Sequence, residues 1–230
     1  MGEYYCWVNV DKKEYLVPAD FDYGNKFRES IHKDSIPLHA LHTLLNKEWM
    51  GDHVVWLGDE SYISDQSINI TLQKLLQQSL EFGETGCTFG DPGYVDDIII
   101  ETYRNVSCLF QEAAEEVRQE IYYDLEDLKI FGEFHNQYGI DPDKPFEGLF
   151  SKRGKRYEYV LNHTKKIYYS LNETVILFQN HTVNNFSDPL PILMGYGRVT
   201  KPGEWLGDII GVSDQRPKEY SLLKELYVDW

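Results

Sequence analysis

WLGDESYISD, residues 56–65, returns as WLGDIIGVSD, residues 205–214, with six of ten positions identical. Whether these are two copies of one unit decides how the fold is read. The first stretch is preceded by the apolar HVV of residues 53–55 and followed by the polar ESY. The second follows the turn-like KPGE of residues 201–204 and runs into the apolar pair Ile209-Ile210. Strand and loop therefore lie on opposite sides of the shared letters, whereas a duplicated unit keeps its pattern of burial. The pair reads as two separate landmarks with a chance likeness.

Outward from these landmarks, YYCWVNVDKKEYLVP (residues 4–18) alternates in short β-rich runs around Asp11-Lys12-Lys13 and predicts a hairpin. Behind Pro37, Leu38, Leu41, Leu44, Leu45 and Trp49 recur at helical spacing until Gly51, and His53 to Leu57 is then a short apolar strand that delivers Gly58-Asp59-Glu60 at its exit. Ser67 to Phe82 is a second helical stretch. Val95 to Leu128 is mainly helical with a break near Asn105, its later part striped by Leu109, Phe110, Ala113, Val117, Ile121 and Leu125. Strand character returns at Tyr157 to Leu161 and Lys165 to Leu171, a second hairpin around Asn162-His163-Thr164. Leu190 to Met194 and Ile209 to Val212 read as further strands, and Tyr220 to Trp230 as a short helix or strand. The expectation is one α+β domain over residues 1–230: a mostly antiparallel sheet of N- and C-terminal strands, and a central acidic helical insertion over roughly 66–155.

Composition sets the limits. A 42% hydrophobic and 14% aromatic chain with 9 Pro and 17 Gly is globular rather than disordered. The longest apolar runs, such as Ile98 to Ile100 and Val175 to Phe178, are too short to cross a bilayer, and MGEYYCWVNVDKK lacks the apolar core of a signal peptide. Cys6, Cys87 and Cys108 are scattered without a C-x-x-C, which suits reduced thiols; the expected location is the cytoplasm. Six Asn-x-Ser/Thr sequons occur, at Asn69, Asn105, Asn162, Asn172, Asn180 and Asn185; without a secretory signal they read as Asn side chains capping turns.

The net charge of -16 is concentrated: Glu81 to Gly148 holds 17 Asp plus Glu against 4 Lys plus Arg, leaving 21 against 18 elsewhere. Binding nucleic acid through its phosphates needs the opposite sign. An acidic face steers a basic protein partner.

Three stretches carry a resemblance: Val55-Trp56-x-Gly58-Asp59, Asn162-His163-Thr164-Lys165-Lys166, and Pro189-Leu190-Pro191-Ile192-Leu193 followed by Trp205-x-x-Asp208-x-Ile210. In that order they resemble a family of uncharacterised bacterial and phage proteins that begin with Gly-x-Tyr-Tyr, as Gly2-Glu3-Tyr4-Tyr5 does here. The likeness covers both ends and leaves roughly residues 66–155 unmatched. It implies landmarks, with no activity attached. The family's loop after Pro-Leu-Pro-Leu carries Gly-Asn-Gly-Arg, where this chain retains only Gly195-Tyr196-Gly197-Arg198.

Two functional readings follow. In the first the protein is a non-enzymatic interaction protein, such as an immunity or phage/host counter-defence factor, covering a basic partner with Glu112, Glu115, Glu116 and the acidic residues through Asp127. In the second it is a small hydrolase or transferase, since Asp59 and Asp208 could share a proton and His163 could act as base, with Asn162, Thr164, Lys165 and Arg198 binding. Trp-x-Gly-Asp is also the pattern of an Asp accepting backbone N–H bonds in a turn. No cofactor motif is present. His39 and His42, spaced i, i+3, lack the Glu of H-E-x-x-H and read as surface or core-edge histidines rather than metal ligands.

Overall fold

The computed structural model describes residues 2–27, 29–85, 93–178, 183, 186–198 and 201–228. Cys87, most of the Gly-rich loop after Glu84 and the sequons at Asn180 and Asn185 lie outside the described residues.

In chain order the strands are β1 (Tyr5–Asn9), β2 (Glu14–Leu16), β3 (Val54–Gly58), β4 (Arg104–Asn105), β5 (Tyr159–Asn162), β6 (Ile167–Ser170), β7 (Val175–Leu177), β8 (Gly195–Tyr196), β9 (Ile210–Ser213), β10 (Ser221–Leu222) and β11 (Glu225–Tyr227). The α-helices are α1 (Ile36–Asn46), α2 (Ile70–Thr85), α3 (Asp96–Thr102), α4 (Ala114–Phe131) and α5 (Leu190–Met194). One sheet has the order β4-β2-β1-β3-β8, a second β10-β6-β5-β9, and β7 pairs with β11.

The class is α+β, but the sheets are mixed rather than mostly antiparallel. The hairpins β1-β2 and β5-β6 and the pairs β1-β3 and β5-β9 are antiparallel, whereas β2-β4, β3-β8, β6-β10 and β7-β11 are parallel. The parallel partners are edge strands of two or three residues, far in sequence from the strands they pair with. Such strands leave no periodicity in the sequence. A further correction concerns Leu190–Met194, which is a short helix: Pro191 sits in its first turn, where its fixed φ suits a helix, and Asp188 Oδ1 accepts the Leu190 N–H at 3.0 Å.

The helix α1 forms where Ser35 caps it, accepting the Leu38 N–H, with Pro37 in the first turn. Leu38, Leu41, Leu44 and Leu45 are buried along one stripe, each worth about 1.5–3 kcal/mol of apolar burial. The first sheet is covered on both faces, which is why β3 reads as a continuous apolar run. Trp7, Leu16 and Trp56 face the main core, and Val8, Tyr15, Val55 and Leu57 face a second core closed by Leu72 and Leu75 of α2 and Ile98 and Ile99 of α3. Trp56 thus lies inside a strand while Trp205 lies in the turn before one, so the two WLGD stretches occupy different structural positions.

Candidate functional site

The hairpin β5-β6 and the turn before β9 bring four of the predicted polar residues together. Asn162 ends β5 fully buried; its amide donates to Asp208 Oδ2 at 2.7 Å, and its carbonyl oxygen accepts the Lys165 N–H at 2.8 Å. Lys165 Nζ stands 2.8 Å from Asp208 Oδ2 and donates to the Glu204 carbonyl at 2.5 Å. Thr164 Oγ1 accepts the Ile209 N–H at 2.9 Å. Asp208 is carried on a turn whose Gly207 has φ +92°, a region that favours glycine. The hub therefore spends its polar atoms on holding a hairpin to a turn.

His163 points elsewhere. Its Nδ1 lies 2.7 Å from the Tyr220 hydroxyl, and its other ring nitrogen lies so close over Gly211 that a Cβ there would stand 2.3 Å from it. Burial, then the charge of Lys166, lowers its pKa below the ordinary histidine value. Asp59 belongs to the other sheet: its Oδ1 accepts the Tyr4 N–H at 2.9 Å while its own N–H donates to the Tyr4 carbonyl at 2.8 Å. Arg198 pairs with Glu60 at 2.6 Å and gives its backbone N–H to Glu3 at 2.8 Å. Among the described contacts none joins Asp59 to His163 or to Asp208. Asp59 and Asp208 each close on their own neighbours.

The histidines of α1 also diverge. His42 is a core residue rather than a surface or core-edge one: its Nδ1 accepts the Tyr157 N–H at 3.3 Å and its Nε2 lies 3.2 Å from Asp188 Oδ2. The Tyr169 hydroxyl donates to the other oxygen of Asp188 at 2.5 Å. Burial opposes the Asp188 charge, but His42 and Tyr169 outweigh it and hold the carboxyl below its ordinary value. These three come from residues 42, 169 and 188, too far apart in the chain for a sequence pattern to link them. Among the described residues no group of three or more His, Cys, Asp or Glu is placed to hold a metal ion.

The acidic segment presents a different surface. The helix α4 buries Val117 and Ile121 against the 3-10 helix Pro18–Phe21 and ends at Gly132, whose left-handed backbone (φ +74°) caps it through an N–H bond to Leu128. From Glu112 to Glu133 there are eight carboxylates, with Arg118 and Lys129 as the only cations. Glu112 and Glu115 are exposed and Glu116 is half-buried. Beside the buried stripe stand Tyr122, whose ring meets Phe146 edge-on at 5.2 Å, and Tyr123, each 57% exposed, and at the C-terminal end Ile130 (69%) and Phe131 (70%). The series Tyr122-Glu126-Ile130 and Tyr123-Asp127-Phe131 repeat at i, i+4, i+8. That second stripe was legible in the sequence behind the dominant buried one. Together with Glu126 and Asp127 it makes an apolar and aromatic surface rimmed by negative charge.

Comparison of the chain with protein-family models, with curated proteins and with solved structures returns no match. No described helix is long and apolar enough to cross a membrane.

Proposed function

We propose that this protein is a binding protein whose outward face of α4 covers a basic surface on a protein partner. The observation that carries this reading is the combination of four large exposed side chains, Tyr122, Tyr123, Ile130 and Phe131, with the carboxylates Glu115, Glu126, Asp127 and Glu133 on and just beyond one helix. Aromatic side chains in the centre of an interface supply most of its energy, and charge around them supplies rate and selectivity. Large apolar side chains grouped along one helix, rather than scattered singly, mark an interaction surface. The hydrolase reading has less support, because the polar groups it needs are committed to turns and to one another.

The experiment places a photo-reactive amino acid at Tyr123 or Phe131 in the native host, identifies the cross-linked protein, and measures its affinity in purified form. Phe131→Ser and the pair Glu126→Lys, Asp127→Lys are each expected to weaken binding about 30-fold or more, a hot-spot loss. Alanine at Asp59, His163 and Asp208 should leave it within about threefold. Binding retained by both α4 variants, or abolished by Asp59→Ala or His163→Ala in a folded protein, would reject the reading.

A further inference from the structure

We infer that the chain is two copies of one unit, a hairpin, a helix, a Glu-Trp-x-Gly-Asp turn and a strand, fused with their helices exchanged. The counterpart of Trp205 is Trp49. Glu48-Trp49-Met50-Gly51-Asp52 aligns with Glu204-Trp205-Leu206-Gly207-Asp208, and Ser35-Ile36-Pro37-Leu38 with Ser187-Asp188-Pro189-Leu190.

The two units agree in register throughout. Asn9 pairs with Glu14 across the first hairpin and Asn162 with Ile167 across the second; the same asparagines pair with Val54 and Ile210 on the following strand. Each hairpin's second strand then takes a parallel edge strand at the same position, Glu14 opposite Arg104 and Ile167 opposite Ser221. Two special backbone positions recur: Lys13 and Lys166 both have φ +55°, and Gly51 and Gly207 have φ +87° and +92°.

The centre of the polar hub recurs. Asn9 is also fully buried, and its amide donates to Asp52 Oδ2 at 2.9 Å, as that of Asn162 does to Asp208. Lys12 lies 3.4 Å from Asp52 where Lys165 meets Asp208. The His53 N–H donates to Asp11 Oδ2 at 2.7 Å where the Ile209 N–H donates to Thr164. Val10 N–H reaches the His53 carbonyl at 3.0 Å, and His163 N–H the Ile209 carbonyl at 2.8 Å. A chance likeness supplies one or two such matches, and this set spans three strands and two turns. The helices are exchanged between units: α1 of the first packs on β9 of the second, and α5 of the second on β3 of the first.

The repeat separates scaffold from addition. What both units keep, the Asn-Asp-Lys hub included, holds the fold, so Asp52 and Asp208 are positioning residues of the hairpin rather than catalytic carboxylates. Residues 59–103, with α2 and α3, separate β3 from β4 where only 214–220 separate β9 from β10, and α4 lies in the connection between the units.

The test grafts one hub onto the other in the full chain. Asp11 and His53, 2.8 Å apart in the first unit, stand where Thr164 and Ile209 stand in the second, and neither of the latter is buried. Thr164→Asp with Ile209→His should therefore place a carboxylate against an imidazole. By NMR, the new histidine is expected to titrate on the order of half a unit higher in the double variant than in Ile209→His alone. Equal titration would mean that the hubs do not superimpose and would overturn the inference. In parallel, Asn9→Ala and Asn162→Ala should each raise the unfolding constant at least tenfold, with double-mutant coupling to Asp52 and Asp208 respectively and none crosswise. Coupling in one hub and its absence in the other would likewise overturn it. Should an alanine variant fail to fold, the graft remains decisive because Thr164 is exposed and Ile209 only half-buried.

Discussion

Asp20 and Asp188 are the buried carboxyls among the described residues, and burial prevails over the surrounding donors in Asp20 alone. It is 5% exposed in the 3-10 helix beneath α4, held by the Asn105 amide at 2.8 Å and by Ser107, both neutral donors. Burial pushes its pKa up to about 7, against the lowering effect of those two bonds and with a further push from Glu120 and Glu116. The folded state therefore binds this proton more tightly than the unfolded chain, where an Asp titrates near 4. The stability Asp20 contributes is fully present below pH of about 4 and is lost as pH rises to about 7, a change on the order of 4 kcal/mol. Asp20→Asn keeps an acceptor for Asn105, so it should match the wild type within about 1 kcal/mol at pH 4 and exceed it clearly at pH 8. Urea unfolding from pH 4 to 8 reads this directly, and parallel profiles for the two proteins would refute it. Sequence could not single out Asp20 among its 38 acidic residues, because burial by a helix about a hundred positions away decides its chemistry. Other residues were readable: Asn69 and Asn105 do cap turns, accepting the N–H groups of Thr71 and Ser107 at 3.1 and 3.0 Å.

At the level of elements, α4 divides its work between two faces, and substitutions should separate them. Ile121 is fully buried, so Ile121→Ala is expected to cost about 2–5 kcal/mol, by lost transfer energy and the cavity left behind. Tyr123→Ser and Phe131→Ser touch exposed side chains and should change stability by about 0.5 kcal/mol or less. Thermal or urea unfolding of the three variants checks the division; a Phe131→Ser protein as unstable as Ile121→Ala would show that the outer face is part of the core. The buried stripe of α4 was plain in the spacing of Val117, Ile121 and Leu125, as were both hairpins and the leucine stripe of α1. The parallel edge strands were hidden, being two or three residues long and defined wholly by their partners. The helix at Leu190–Met194 was masked for a related reason: five apolar residues fit a strand or a buried helix equally well, and only its two prolines argued for the latter.

Across the whole molecule, the repeat is hidden in the sequence because the strongest local match, WLGD with WLGD, lies seven positions from the structural register. Letter identity pairs Trp56 with Trp205, whereas geometry equates Trp49 with Trp205. The units are joined by more than their exchanged helices. His42 of the first unit lies against Asp188 of the second, whose other oxygen takes the Tyr169 hydroxyl, and all three are essentially without solvent. At the aligned positions Leu16, Ile36 and Met194 the chain has only apolar residues, so this charged contact belongs to one side of the repeat. A buried carboxylate partnered in this way adds little net stability over an apolar replacement, but removing its partner strands the Asp188 charge. His42→Leu should therefore cost about 3–5 kcal/mol. Adding Asp188→Asn, which removes the stranded charge and leaves an acceptor for the Leu190 N–H, should recover part of that loss. The outcome is read from urea midpoints of both single variants and the double. If the two losses simply add, His42 does not support the Asp188 charge, and the contact between units rests on apolar packing alone.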